Sequence, residues 1–257
     1  HKNQLAVGPR DAWKMAWCDG EVLVENSRFE GVRWDGQNVH GTFLFVDKVL
    51  NDTQFRAYKV GVHHGKIKPQ QIGIWKEGNI TKVNASKFEF ESNDRENRKV
   101  YFKVTTDENL NDIIVDGSLI TLYGYDIDKY TLRNVTMKRI AGTGSVIRNE
   151  NVNIENCTYE NIMYPGINIG TEYSLGNYIE GTFPRNITIK DSKFIDCGWQ
   201  KKFGVKGAIG IGCGWDYPHK GWMKNIRIIG LIHRFLIKTP YYLSFDRTKG
   251  IIIHAES

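Results

Sequence analysis

The sequence predicts an all-β protein: a right-handed parallel β-helix with a small antiparallel β-barrel or sandwich inserted into it. Three observations carry this. A six-residue template recurs along the chain. A second strand position follows it at a fixed distance. No stretch of useful length has the 3.6-residue period of an amphipathic helix.

The template is an aliphatic residue, Asn or a substitute two positions on, and a large apolar residue five positions on. It occurs as Val24-Glu-Asn26-Ser-Arg-Phe29, Leu132-Arg-Asn134-Val-Thr-Met137, Ile154-Glu-Asn156-Cys-Thr-Tyr159 and Ile189-Lys-Asp191-Ser-Lys-Phe194, with a looser fifth copy at Ile226-Arg-Ile228-Ile-Gly-Leu231. Val39, Ile147 and Ile169 each lie 15 residues after their template's first residue. In the fourth copy the matching Ile211 is 22 away, so about seven residues are inserted there. Leu132 and Ile154 are 22 residues apart, the length of one coil of a solenoid built from short strands. Alternation within strands agrees: Ile187 and Ile189 point one way, Thr188 and Lys190 the other. The template Asn is expected at a turn, stacking on its copies and bonding backbone groups.

Residues from about 47 to 117 interrupt the period. They hold strand-like runs at Phe55–Val62, Gln71–Trp75, Ala85–Phe90 and Lys99–Val104, with polar turns between them. The expected division is therefore coil at 1–46, an inserted antiparallel domain at 47–117, and coil again at 118–257. Only one clear rung precedes the insert. An uncapped rung exposes core and unpaired edges, so further N-terminal rungs are expected to be missing or to lie in a separate piece. The first residue is His and no signal-peptide pattern is seen, which suits a mature form or a fragment.

The chain's 257 residues suit one large domain, or one domain with an insert. Its net charge is +6, but Lys and Arg are interspersed with Asp and Glu and form no basic block, so a nucleic-acid partner is not expected. No apolar run reaches membrane-spanning length. The four cysteines, Cys18, Cys157, Cys197 and Cys213, show no metal-ligand spacing and read as small apolar residues. A disulfide cannot be deduced. Six N-x-S/T sequons occur, and two of them, Asn134 and Asn156, fall on template asparagines, which favours a structural role for those.

The stretch Trp34-Asp35-Gly36-Gln37-Asn38-Val39-His40-Gly41 holds the densest chemistry. Its first six residues align with Tyr164-Pro165-Gly166-Ile167-Asn168-Ile169 two templates on, so Gly36 and Asn38 are partly architecture. Asp35 and His40 are not repeated. Asp11 lies 24 residues before Asp35, one rung, so the two are expected to be neighbours about 4.8 Å apart. Neighbouring carboxylates push their pKa values apart, and such a pair suits acid/base cleavage of a glycosidic bond. The same spacing also suits two solvated turn residues. Acids and aromatics cluster in two long loops, Glu172 to Glu180, which includes Tyr178, and Trp215 to His219. Together they suggest a saccharide cleft. The pair His63-His64 has no acidic or Cys partners at metal spacing, and neither metal nor cofactor is expected.

The residues Asp11-x6-Cys18-x-Gly20, Glu25-Asn26-x2-Phe29 and Asp35-x2-Asn38-Val39-His40-Gly41 resemble the core of the bacterial exo-acting α-1,3-galactosidases of glycoside hydrolase family 110. The stretch Ile167–Ile189, with Tyr178-x-Glu180 before Arg185-Asn186-Ile187-Thr188-Ile189, is also similar. The resemblance implies a right-handed β-helix with inserted β-barrel domains and an inverting, metal-independent α-galactosidase-like reaction on an extracellular glycan. It also implies a secreted, periplasmic or cell-surface location. The partner would be an oligosaccharide or polysaccharide substrate. It places Asp11 and Asp35 as catalytic carboxylates. Trp34, Asn38, His40, Glu172, Tyr178 and Glu180 are the substrate-binding candidates. One family acid falls on Trp34. Asp11 or Asp35 then takes the acid role, or Glu172 or Glu180 supplies it, or the protein binds a sugar without cleaving it or cleaves a different one.

Two other classes fit the same chain. A non-catalytic carbohydrate-binding β-helix, as in an adhesin or phage module, is favoured by Trp34 in place of an acid. A polysaccharide lyase would need clustered acids for Ca²⁺ and a Lys or Arg base, and no such cluster is seen.

Overall fold

A computed structural model describes residues 10–61, 66–174, 178–200, 207–212, 222–230, 232–234, 243–245 and 251–254. The described chain is all-β, with one 3₁₀ turn at Tyr123–Tyr125. Three parallel sheets carry the repeat. Sheet I runs Trp13–Ala16, Gln37–His40, Ser145–Arg148, Ile167–Ile169, Ile209–Ile211, Leu243–Phe245. Sheet II runs Glu21–Glu25, Lys129–Arg133, Val152–Glu155, Arg185–Lys190, Lys224–Ile229, Ile251–His254. Sheet III runs Arg28–Glu30, Thr136–Ile140, Thr158–Ile162, Lys193–Cys197, Ile232–Arg234.

The template aliphatics are true partners: Val24, Leu132, Ile154 and Ile189 pair in sequence across sheet II. Leu132, Ile154 and Ile189 are fully buried, each worth roughly 1.5–3 kcal/mol of transfer free energy. Across sheet III the large apolar residues align as Phe29, Met137, Tyr159 and Phe194. The rings of Tyr159 and Phe194 stack at 5.1 Å, almost parallel. The fifth template copy is shifted by two residues from the sequence reading. Ile189 pairs with Ile228, not Ile226, and Phe194 with His233. Gly230 then holds the turn position with φ +59°, a geometry that glycine adopts freely.

Asn26, Asn134 and Asn156 occupy the left-handed region, with φ of 49°, 55° and 50°. Asn tolerates this conformation better than most residues. Their side chains form a ladder. Asn134 Nδ2 donates to Asn26 Oδ1 at 3.0 Å, and Asn156 Nδ2 to Asn134 Oδ1 at 2.7 Å. The amides therefore bond one another rather than the backbone groups expected from sequence. A second ladder joins Asn151, Asn186 and Asn225 in the same way.

Six antiparallel strands close a barrel in the order Leu119–Leu122, Phe43–Asn51, Gln54–Val60, Lys99–Thr106, Asn79–Asp94, Gln70–Lys76. The four runs read from the sequence fall on the middle strands. Phe43–Asn51 and Leu119–Leu122, which complete the closure, were not among them. Trp75 of the barrel stacks on Trp222 at 5.3 Å, and Arg185 donates to Gly78 O at 2.5 Å, so barrel and coil pack together. Cys157 and Cys197 are buried thiols as expected, whereas Cys18 is exposed. Cys213, His63-His64 and the Trp215–His219 loop lie outside the described residues. Among the described residues, no helix is long and apolar enough to cross a membrane.

Candidate active site

The strand Gln37–His40 lies between Trp13–Ala16 and Ser145–Arg148 in sheet I. Val39 is fully buried and pairs with Met15 and Ile147. Alternation then sends Asn38 and His40 to the opposite face. Asn38 pairs with Lys14 and Val146, and His40 with Ala16 and Arg148. The hairpin Glu172–Ser174 with Tyr178–Glu180 brings Glu172 and Glu180 opposite one another. The side chain of Tyr178 lies outside the described residues.

Glu180 is the hub of this face. Its carboxylate receives Lys14 Nζ at 2.6 Å and Asn38 Nδ2 at 3.2 Å, and it pairs with Arg148 NH1. The other end of Arg148 binds Glu172 Oε2 at 2.6 Å. Arg148 is only 2% exposed, so it anchors the hairpin in a place where water screens little. Lys14, Arg148 and Lys59 were not singled out from the sequence. Lys14 and Arg148 occupy outward strand positions that read as solvated face; Lys14 stays exposed, whereas Arg148 is buried. Burial lowers the Lys59 amine to about 8, and Lys59 lies over the Trp17 ring at 4.7 Å.

His40 is buried, and desolvation holds its pKa down at about 3, with the charges of Lys14, Arg148 and Lys59 adding to the effect against a backbone bond. The ring is therefore neutral at ordinary pH. Nδ1 lies 2.7 Å from Gly41 O. A carbonyl only accepts, so Nδ1 carries the hydrogen and Nε2 keeps a lone pair. That lone pair is 3.5 Å from Glu180 Oε1, another acceptor, and has no hydrogen-bond donor. Asn38 Oδ1 is likewise a buried acceptor without a partner. Two unsatisfied acceptors thus share one strand face beside a carboxylate. A hydroxyl donor would relieve them.

Asp11 and Asp35 are also adjacent. Ala12 N–H donates to Asp35 O at 3.1 Å and Trp13 N–H to Gly36 O at 3.3 Å, one rung apart. Asp35 N–H donates to Asp11 Oδ1 at 3.4 Å. Burial, then the charge of Asp35, raises the Asp11 pKa against the pull of Arg10 and Lys14. Asp35 is 3% exposed, and its Oδ1 accepts the N–H of Thr143 from the next rung at 2.8 Å. Lys14 lies within the field of both Asp11 and Glu172, so it links the two carboxylate groups.

Two glycines of the motif have steric reasons. A Cβ on Gly36 would lie 2.5 Å from Gly144 O and 2.8 Å from Met137 Sδ. On Gly41 it would collide with the buried carboxyl of Asp126. Trp34 is half-buried, with its ring edge-on to Tyr164 at 5.9 Å. Among the described residues, no three His, Cys, Asp or Glu are grouped to hold a metal ion.

Comparison of the chain with models of known families and with curated proteins finds no match.

Proposed function

We propose that the parallel sheets form a right-handed β-helix and that the protein is a glycoside hydrolase acting on an extracellular glycan. The reaction would be inverting, metal-independent and α-galactosidase-like. The resemblance described above supports the class. The observation that carries the site is the Asp11–Asp35 contact between adjacent rungs, with Asp11 half-buried and its pKa raised. A carboxyl that keeps its proton longer than usual is suited to protonate a leaving oxygen, so Asp11 is the general acid. Asp35 is the partner carboxylate, fixed by Thr143 N–H. Asn38, His40, Glu172 and Glu180 bind sugar hydroxyls. The open acceptors on His40 and Asn38 support that assignment.

The test is kinetic. Asp11→Asn and Asp35→Asn are assayed on a panel of α-galactosides. Loss of an acid/base group is expected to lower kcat by about 10²–10⁴. Wild-type turnover in both variants would sink the assignment. A second reading, a carbohydrate-binding protein without hydrolysis, is favoured by the burial of Asp35 and by Trp34 at the position of a family acid. Calorimetric binding of an oligosaccharide with no product after long incubation would establish it.

A further inference from the structure

Where the barrel joins the parallel sheets, five buried oxygen atoms have no hydrogen-bond partner: the Tyr123 hydroxyl, Asp126 Oδ1 and Oδ2, Asn149 Oδ1 and Glu150 Oε1. Asp126 follows the barrel strand Leu119–Leu122 and is 5% exposed. Its carboxyl is pressed against Gly41, which precedes the barrel strand Phe43–Asn51. The chain's entry to the barrel and its exit therefore meet at this carboxyl. Asn149 and Glu150 lie in the turn between Ser145–Arg148 and Val152–Glu155. Asn149 is fully buried, and its nitrogen is taken: Nδ2 donates to Ile127 O at 2.6 Å, next in the chain to Asp126, and to Glu150 O at 3.0 Å. Its oxygen is left over. The charge of Glu150 bears on Asp126, and both charges bear on Tyr123.

Buried carboxylates are costly unless they are paired or hold a metal. One proton would serve one oxygen and leave the other acceptors open. A water would bring two hydrogens but no charge. The nearby cations are engaged: Lys82 Nζ lies 4.3 Å over the Tyr123 ring, and Arg185 donates to Gly78 O and Trp222 O. Their charges temper Glu150, but burial and the charges of Glu150 and Asp128 hold Asp126 well above the usual carboxylate range. Two carboxylates and an amide oxygen are hard donors. Ca²⁺ takes roughly six to eight such oxygens in flexible geometry, whereas Mg²⁺ demands a strict octahedron and keeps its waters. Zinc and related metals favour imidazole and thiolate. We propose that Asp126, Asn149 and Glu150 hold a calcium-type divalent cation, which ties both connections of the barrel to the turn after Ser145–Arg148. The cation takes no part in the reaction proposed above, and neither reading depends on the other.

The whole chain is stripped with a chelator, and CaCl₂ is titrated into it by calorimetry near neutral pH, with no glycan present. One Ca²⁺ per chain is expected to bind, about tenfold or more tighter than Mg²⁺. The melting temperature should rise as Ca²⁺ is added. Affinity should fall as pH drops, because the cation and protons compete for the same carboxyls. Asp126→Asn and Glu150→Gln should each weaken Ca²⁺ binding about tenfold or more. In calcium-free buffer Asp126→Asn should melt no lower than wild type, since the variant keeps the shape and removes a buried acid without its counter-charge. That readout separates loss of a ligand from loss of the fold, and Glu150→Gln decides the question if Asp126→Asn does not fold. The exposed barrel residue Glu96 is the control, and Glu96→Gln should change nothing. A stripped chain that binds no Ca²⁺ overturns the proposal. So does wild-type Ca²⁺ affinity in both variants, or Mg²⁺ binding as tight as Ca²⁺.

Discussion

Two pairs of carboxylates flank the strand Gln37–His40, and the protein treats them in opposite ways. Glu172 and Glu180 are enclosed by cations: Arg148 bridges them, and Lys14 adds a second charge to Glu180. Asp11 accepts the N–H of Asp35, and the Asp35 carboxylate accepts the N–H of Thr143. The first arrangement fixes negative charge and holds a hairpin on the sheet. The second makes negative charge costly at Asp11 and raises its pKa, through burial first and the charge of Asp35 second. The same functional group is an ion-paired anchor on one side and a carboxyl with a raised pKa on the other. The difference comes from the neighbours, not from the carboxylates.

The largest effect is expected from breaking the anchor. Arg148→Met leaves Glu172 and Glu180 without their common cation. Removing one partner from a buried pair costs about 3–5 kcal/mol, a fall in melting temperature of roughly 10 °C in a chain this long. Adding Glu180→Gln should recover part of the loss, because the unbalanced charge goes too. A melting temperature within a degree or two of wild type would show that the hairpin does not depend on Arg148.

Next comes His40, which sits against the anchor side. Its folded pKa of about 3 lies below the ordinary 6.5, because burial disfavours the imidazolium among Lys14, Arg148 and Lys59. Between those values the unfolded chain takes up a proton that the folded chain refuses. His40 therefore imposes no penalty above pH 6.5, and stability falls as pH drops toward 3. At about 1.4 kcal/mol per unit, the loss by pH 4.5 is about 3 kcal/mol. Denaturant melts across pH 4.5–7 should show this slope, and His40→Gln should flatten it. An equal slope in the variant would refute the neutral, buried ring.

The parallel sheets were legible where the repeat was unbroken. The 22-residue spacing of Leu132 and Ile154 marked the stacked core, and the asparagines at the third positions of the templates marked the ladder. The fifth copy was misplaced by two residues because Ile226 and Ile228 are both aliphatic, and only strand pairing separates them. The second asparagine ladder escaped notice because insertions stretch its steps to 35 and 39 residues. The one-rung distance between Asp11 and Asp35 could be counted directly. Arg148 could not be recognised: its burial depends on a hairpin more than twenty residues further along the chain.

A smaller effect should come from the asparagine ladder of Asn26, Asn134 and Asn156. Asn134→Ala removes two side-chain bonds and puts a non-glycine residue at φ 55°. A loss of about 1–2 kcal/mol is expected. Asn134→Gly removes the same bonds without the conformational penalty and should cost less. If the two variants are equally destabilised in urea, backbone conformation contributes nothing at that turn.

The smallest change in stability, and the sharpest in chemistry, is expected from Asp35→Asn. The amide oxygen can still accept the N–H of Thr143, so the rung-to-rung bond survives. What disappears is the negative charge beside Asp11, the second of the two causes that raise its pKa. Burial, the first cause, remains. The Asp11 pKa should therefore move down part of the way toward its ordinary value. Carbon-13 titration of the Asp11 carboxyl would show it, with the melting temperature almost unchanged. On the anchor side, the matching change Glu172→Gln should leave the Asp11 titration where it was, because its charge reaches Asp11 only past Lys14. An Asp11 titration that ignores Asp35→Asn, or follows Glu172→Gln instead, would mean that the two pairs are not set apart as their neighbours imply.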